Sequence, residues 1–234
     1  MFLVLLTFRG ARQILFLKKS DYERYFSVTL IMEVVIVGAG EHAGVAANIF
    51  SYDSGVRVLG FLDRESKRDP YLGTDKDAEK FIRQGCYFFV AIGDTEIREK
   101  VFRALKERGA VFTNAIHPTA LIDKNVHIDE GVMIGARAFI HTGATIGDGV
   151  IINSGCLVEH DAIIEPFVHL APGVVTGGSV RVGRGTFIGL RSVINDHITI
   201  GERTVVGSGS VVVDDLPAYV TAVGHPAKII KQRR

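Results

Sequence analysis

From Ile122 to Val211 the chain is written in sixes: IDKNVH, IDEGVM, IGARAF, IHTGAT, IGDGVI, INSGCL, VEHDAI, IEPFVH, LAPGVV, TGGSVR, VGRGTF, IGLRSV, INDHIT, IGERTV, VGSGSV. Fourteen of these fifteen hexads open on Ile, Val or Leu, and the exception is Thr176. The fifth place is small or β-branched throughout, from Val126 to Ser210, and glycine recurs at the second place, as in Gly135, Gly147, Gly183, Gly189, Gly201 and Gly207. A period of two would mean an ordinary half-buried strand and a period of 3.6 a helix. A strict six means short strands joined by tight bends. The aliphatic residue fills an interior, the small one fits beside it near a corner, and glycine relieves the bend. Three such sides close a triangular coil in which residues about 18 apart stack, with strands roughly 4.8 Å apart. The run amounts to about five coils, on the order of 25 Å of prism.

This pattern resembles the hexapeptide-repeat, left-handed parallel β-helix, and the handedness is taken from that resemblance. The same resemblance implies a homotrimer with sites between neighbouring subunits. A bare repeat is also compatible with a purely scaffolding solenoid, but what lies in front weakens that reading.

Residues 33–116 have another rhythm. "EVVIVGAGEHAGVAANIF" reads as an apolar strand, a glycine turn and an apolar-periodic helix. Gly38 and Gly40 let backbone N–H groups approach a phosphate at a helix N-terminus. The spacing to Gly44 is GxGxxxG, one residue off the dinucleotide fingerprint. "VRVLGFLDRE" reads as a second strand ending at Asp63, where an acid can meet a ribose or a base edge. A helical stretch over 76–84 leads to the strand "YFFVAIGD", a turn at Gly93, a charged-outside helix to Gly109, and a last strand, "AVFTNAIHP". Such alternation predicts a small Rossmann-like α/β unit with a parallel sheet and a ligand at the strand C-termini. Its size suits a mononucleotide better than a nicotinamide dinucleotide.

Bulk composition removes other classes. The 27 basic and 26 acidic residues nearly cancel, which argues against nucleic acid as a partner. "MFLVLL" is too short to span a bilayer, so no membrane insertion is expected. Cys86 and Cys156 fit a reducing, cytoplasmic compartment. Residues 1–31 read as an extension, with Met32 a candidate for the true start. The expected domains are then 32–117, nucleotide-binding, 118–216, the β-helix, and a tail over 217–234.

The opening "VGAGEHA", the turn "AIGDTEIR", the hexads with "VEHDAIIEPFVHLAPG" and the ending "VGHPAK" together resemble one family. It is that of the nucleotide-sugar acetyltransferases of bacterial glycan synthesis, such as the UDP-4-amino-sugar N-acetyltransferases of bacillosamine-type precursors and their sialic acid relatives. The likeness covers residues 33 to about 230 and implies an acetyl-CoA-dependent N-acetyltransferase, with acetyl-CoA and a nucleotide-linked amino sugar as its partners. It places the nucleotide sugar at Gly38, Gly40, His42, Asp63, Gly93, Asp94 and Arg98. Glu41 and Asp94 depart from the family, which often has glycine and asparagine there. Both bring negative charge towards the phosphates, and Arg98 is expected to offset part of it.

The resemblance also makes His160 the general base, oriented by Asp161, with direct attack and no acyl-enzyme. His169 maps to the acetyl or thioester group, and Gly178 to an oxyanion donor. Gly224, Pro226 and Lys228, in a "G-x-P-A-K" segment, map to the coenzyme. Taken alone, both histidines lie outside the aliphatic lining, where a solenoid histidine is usually just solvated. A zinc hydration site built from His141, His160 and His197 is the metal alternative. Their hexad places differ, so no metal is expected. A sugar or sialic acid O-acetyltransferase and a non-catalytic sugar-nucleotide-binding partner are the other readings.

Overall fold

The computed structural model describes residues 3–8, 11–16 and 28–233. The chain divides into two compact units, one holding the residues up to Ala91 with Ala104–Thr113, the other Ile92–Arg103 with the chain from Asn114.

The first unit is built on β3 (Val28–Val37), whose Val34, Val35 and Ile36 are wholly buried. An unbroken apolar run suits a central parallel strand covered on both faces. Before it stand β1 (Leu3–Phe8) and β2 (Ala11–Phe16), antiparallel to each other, with β2 paired to the start of β3. These two strands fall within the segment read as an extension; the rest of that segment, up to residue 27, lies outside the described residues. The strand read from Glu33 therefore starts earlier, at Val28.

After β3 come α1 (Glu41–Phe50), β4 (Val56–Leu62), β5 (Tyr71–Gly73), α2 (Ala78–Arg83) and β6 (Tyr87–Val90). Next are α3 (Thr95–Glu107) and β7 (Val111–Phe112). The parallel strands run in the order β5-β4-β3-β6-β7. Strand order reverses between β3 and β6, and in open α/β sheets ligands bind at that reversal, beyond the strand C-termini. Here those ends are the turn after Val37 and the stretch after Val90. The single strand expected over 110–118 is two: Val111–Phe112 completes this sheet, while Ala115–Ile116 pairs with Met133–Ile134 in the second unit.

The second unit is the left-handed parallel β-helix. Two-residue strands recur every hexad, and each pairs in parallel with the strand one coil on, as Phe139 does with Leu157 and Ile151 with His169. The first-place side chains form the core, Ile134, Ile140, Ile152, Val158, Leu170, Val182 and Ile188 among them, and burying each stabilises the fold by about 1.5–3 kcal/mol. The backbone assigns the bend differently from the sequence. Positive φ falls on the fourth place, glycine at Gly143 (φ 76°) but Asp161 (φ 58°) or His197 (φ 60°) elsewhere. The second-place glycines answer to crowding instead: a Cβ on Gly135 would lie 2.5 Å from the Ser154 nitrogen of the next coil.

The tail is a hairpin. Val220–Gly224 joins the sheet beside Val205–Val206, and Ala227–Gln232 returns antiparallel to it. One face of the prism differs from its neighbour. The outward residues of the six-stranded sheet are all apolar: Leu121, Phe139, Leu157, Val175, Val193 and Val211. The five-stranded sheet turns out His127, Thr145, Ile163, Arg181 and Thr199.

Candidate active site

The corner that follows the six-stranded face stacks four short segments: His141–Gly143, Glu159–Asp161, Gly177–Ser179 and Asn195–His197. In the second of these, Asp161 takes the left-handed conformation that short polar side chains tolerate. That turn brings its Oδ2 to 2.9 Å from His160 Nδ1. A carboxylate only accepts, so Nδ1 carries the hydrogen and neutral His160 presents the lone pair of Nε2. The imidazole is held above its ordinary value chiefly by the Asp161 hydrogen bond, which outweighs desolvation and is helped by the charges of Asp161 and Glu159.

Two glycines make room for this pair. A Cβ at Gly178, one coil on, would lie 2.6 Å from both Cε1 and Nε2 of His160, and one at Gly143, one coil back, would collide with the Asp161 carboxylate. The Gly178 N–H finds no acceptor among the described residues. Glu159 Oε2 accepts the His160 backbone N–H at 3.2 Å, and the Glu159 N–H donates to Thr176 Oγ1 at 3.1 Å. Thr176, the one polar residue at the head of a hexad, thus holds the segment that carries the imidazole.

Among the described residues, His141, His160 and His197 form no group that could hold a metal ion. His141 lies 3.5 Å from Asp123 and 3.6 Å from Glu159, and His197 lies 3.2 Å from Asp196. Cys156 is buried with its thiol pushed up to about 11 by desolvation, and its sulfur lies 3.2 Å from the Ala171 carbonyl oxygen. A thiol held protonated in this way is no nucleophile.

A second cluster gathers Gly93, Asp94, Arg98 and His169. Asp94 caps α3, its Oδ1 accepting the N–H groups of Glu96 and Ile97 at 3.0 and 2.9 Å. Arg98 is 1% exposed, and all five of its donors point at backbone carbonyls: Ile92, Gly93, Gly149, Phe167 and Val168. Burial pulls its pKa down to about 9, with Asp94 and Glu99 opposing, so it stays charged at neutral pH. The guanidinium expected to reach towards phosphates is therefore fully committed to the backbone. His169, 5% exposed, has Nδ1 3.2 Å from the Gly93 carbonyl, which makes Nδ1 the donor and, in the neutral ring, Nε2 the acceptor. Phe187 meets its ring edge to face at 5.1 Å.

The remaining residues of the nucleotide expectation meet in the first unit. Gly38 (φ 102°) donates to the Leu62 carbonyl at 2.8 Å. Asp63 Oδ2 takes the Ala39 N–H at 2.6 Å, so this acid pins the glycine turn. Gly40 is the N-cap of α1, and a Cβ there would meet nothing within 4 Å, which leaves open space above the turn. His42 is half-buried in the first turn of α1. In the tail, Gly224 (φ 107°) sits at the hairpin bend before a cis His225–Pro226 bond. Lys228 is largely exposed, 4.0 Å from Asp214.

Beyond the hexad that holds Gly143, neither Gly143 nor Glu99 stands in a motif of the sequence. Gly143 stands one coil before Asp161, as Gly178 stands one coil after His160, so counting by the coil length would have found it. Glu99 lies buried on α3 and binds Arg103 at 2.8 Å, Arg184 at 2.9 Å and Arg203. Arg103 is one turn away on the same helix, but Arg184 and Arg203 lie far along the chain, so no local motif marks the cluster.

Comparison with known proteins supplies the context. The model of the PglD N-terminal domain matches residues 33–105, and that of the hexapeptide repeat of succinyl-transferase matches 125–159 and 179–213. Among solved structures, PerB of Caulobacter crescentus, in complex with CoA and GDP-perosamine, is 38% identical with a TM-score of 0.82. That alignment covers 86% of this chain and 98% of PerB. The acetyltransferase domain of PglB from Neisseria gonorrhoeae, in complex with acetyl coenzyme A, is 28% identical with a TM-score of 0.82, over 86% of this chain and all of that one (100%). WeeI of Acinetobacter baumannii is 25% identical with a TM-score of 0.73, over 85% and 100%. A comparison with curated proteins returns no match.

Proposed function

This chain belongs to the nucleotide-sugar acetyltransferases built on hexapeptide repeats, and from that membership we propose that it moves the acetyl group of acetyl-CoA onto the amine of a nucleotide-linked amino sugar. The observation that carries the chemistry is the His160–Asp161 pair, with its Nε2 edge over Gly178.

In this reading residues 32–117 bind the nucleotide sugar, 118–216 carry the reaction and 217–234 reach the coenzyme. The acceptor amine attacks the thioester carbonyl carbon and a C–N bond forms. His160 Nε2 takes the proton that the nitrogen must lose, and Asp161 steadies the imidazolium. A positioned base of this kind contributes about 10²–10⁴ in rate. The Gly178 N–H, which has no acceptor among the described residues, donates to the oxyanion in this reading, worth about 10²–10³. Collapse breaks the C–S bond, and the departing thiolate takes the proton back from His160. His169 contributes Nε2 as an acceptor for the donor substrate, and Lys228 a cation for a coenzyme phosphate. With Cys156 buried and protonated, direct transfer needs no acyl-enzyme.

We assign the assembly as a homotrimer through the six-stranded face. Its apolar column, Leu121 to Val211, would otherwise lie against water, and the strands that carry it run directly into the His160 corner. The dyad then stands at a subunit boundary. No helix among the described residues is long and apolar enough to cross a membrane. The need for acetyl-CoA, and cysteines held as thiols rather than joined in a disulfide, support a cytoplasmic site of action.

The product tests the reading. An N-acetylated sugar is an amide and survives mild alkaline hydroxylamine, whereas an O-acetyl ester is cleaved by it. Label from acetyl-CoA that stays on a UDP-4-amino sugar or GDP-perosamine after hydroxylamine is the expected result. Label released quantitatively would move the assignment to O-acetylation.

A further inference from the structure

We propose that Arg68 is the diphosphate-binding cation of the nucleotide site, and that Gly44 is glycine to seat it. This rests on the nucleotide-sugar reading above.

Arg68 lies in the stretch between β4 and β5 and turns back to the glycine turn. Its Nη2 lies 3.4 Å from the Gly40 carbonyl oxygen, and its guanidinium carbon 5.6 Å from the Phe61 ring centre. The flat of the guanidinium rests on Gly44: a Cβ there would meet Nη2 at 3.0 Å and both Cζ and Nη1 at 3.2 Å. The side chain is half-buried and its Nε is buried without an acceptor. Among the described residues no carboxylate lies within ion-pairing distance of it, although Arg57, Arg83 and Arg108 in the same unit each have one. A half-buried cation without an anion is costly unless a ligand supplies the anion.

Place and charge agree on that ligand. Asp63 and Arg68 both follow β4 and both reach the turn at residues 38–40, Asp63 through the Ala39 N–H and Arg68 through the Gly40 carbonyl. Open space stands over Gly40 at the start of a ten-residue helix, where backbone N–H groups favour negative charge. Glu41 brings an unwelcome acid to that first turn. The offset expected of Arg98 falls to Arg68, since Arg98 is consumed by backbone carbonyls. The irregular GxGxxxG spacing also finds a reason, because its last glycine serves an arginine rather than the dinucleotide fingerprint. A guanidinium suits the task because its fork can span two phosphate oxygens.

Calorimetric titration of the full-length protein with UDP, GDP and the corresponding nucleosides tests this. With whichever diphosphate the wild type binds, Arg68→Gln should lose about 10–100-fold in affinity and Arg68→Lys less, while the nucleoside binds as before. Gly44→Ala should weaken the diphosphate in the same direction while leaving the melting temperature undiminished, since alanine favours the helix. Equal affinity of wild type and Arg68→Gln would overturn the assignment alone. An equal loss for nucleoside and diphosphate would also overturn it, by making Arg68 a base contact. Failure of the wild type to bind either diphosphate would overturn the nucleotide-sugar reading along with it.

Discussion

Arg98 and His169 meet at one oxygen, the carbonyl of Gly93, at 2.9 and 3.2 Å. The arginine holds the turn before α3 in place, and the turn in turn dictates which nitrogen of His169 carries the hydrogen. A residue that reads in the sequence as a ligand contact acts instead as a clamp on the backbone beside His169. Arg98→Met would leave the five carbonyls short of a donor, at a cost of about 3–5 kcal/mol. Guanidinium denaturation measures it, and a raised KM for acetyl-CoA in the surviving fold would report His169 losing its orientation.

The pH profile carries the sign of the His160 shift. His160 must be neutral to act as base, and Asp161 holds its pKa above the ordinary 6.5. The acid limb of kcat/KM should therefore have its midpoint above 6.5, with activity rising as pH rises through it. Asp161→Asn removes the chief raising influence, so the limb should move to lower pH while the plateau falls by about 10–10²-fold. A limb that stays in place in the variant would separate it from His160.

Gly178→Ala is a targeted lesion. The new Cβ would sit 2.6 Å from the imidazole, which can swing away because it is the end of an exposed side chain. Thermal stability should hardly change while kcat falls by about 10²–10³-fold, the product of a displaced base and a disturbed oxyanion donor. Parallel melting curves and steady-state kinetics separate this from misfolding.

The prism, its core and the dyad were legible in the sequence because each rests on local spacing: the hexad fixes which side chains point inward, and adjacency fixes His160 against Asp161. The role of Arg98 was not legible, because its carbonyl partners at Gly149, Phe167 and Val168 are brought to it only by coiling. Arg68 was hidden for the same reason, lying 28 residues from the Gly40 carbonyl it touches. The bend was misplaced because glycine at the second place is frequent for crowding, while the left-handed fourth place accepts Asp161, Phe167 and Arg191 as well.

Leu157→Glu puts a charge in the middle of the apolar column. Light scattering should show the proposed trimer giving way to smaller species, with activity lost although His160 and Asp161 are intact. An active monomer would refute the placement of the site at a subunit boundary.

The decisive measurement is thiol release from acetyl-CoA by the purified protein, with UDP-4-amino sugars and GDP-perosamine as acceptors. Release should require an amino sugar nucleotide and collapse by at least about 10²-fold in His160→Ala. Release indifferent to the acceptor or to His160 would contradict the proposed acetyl transfer.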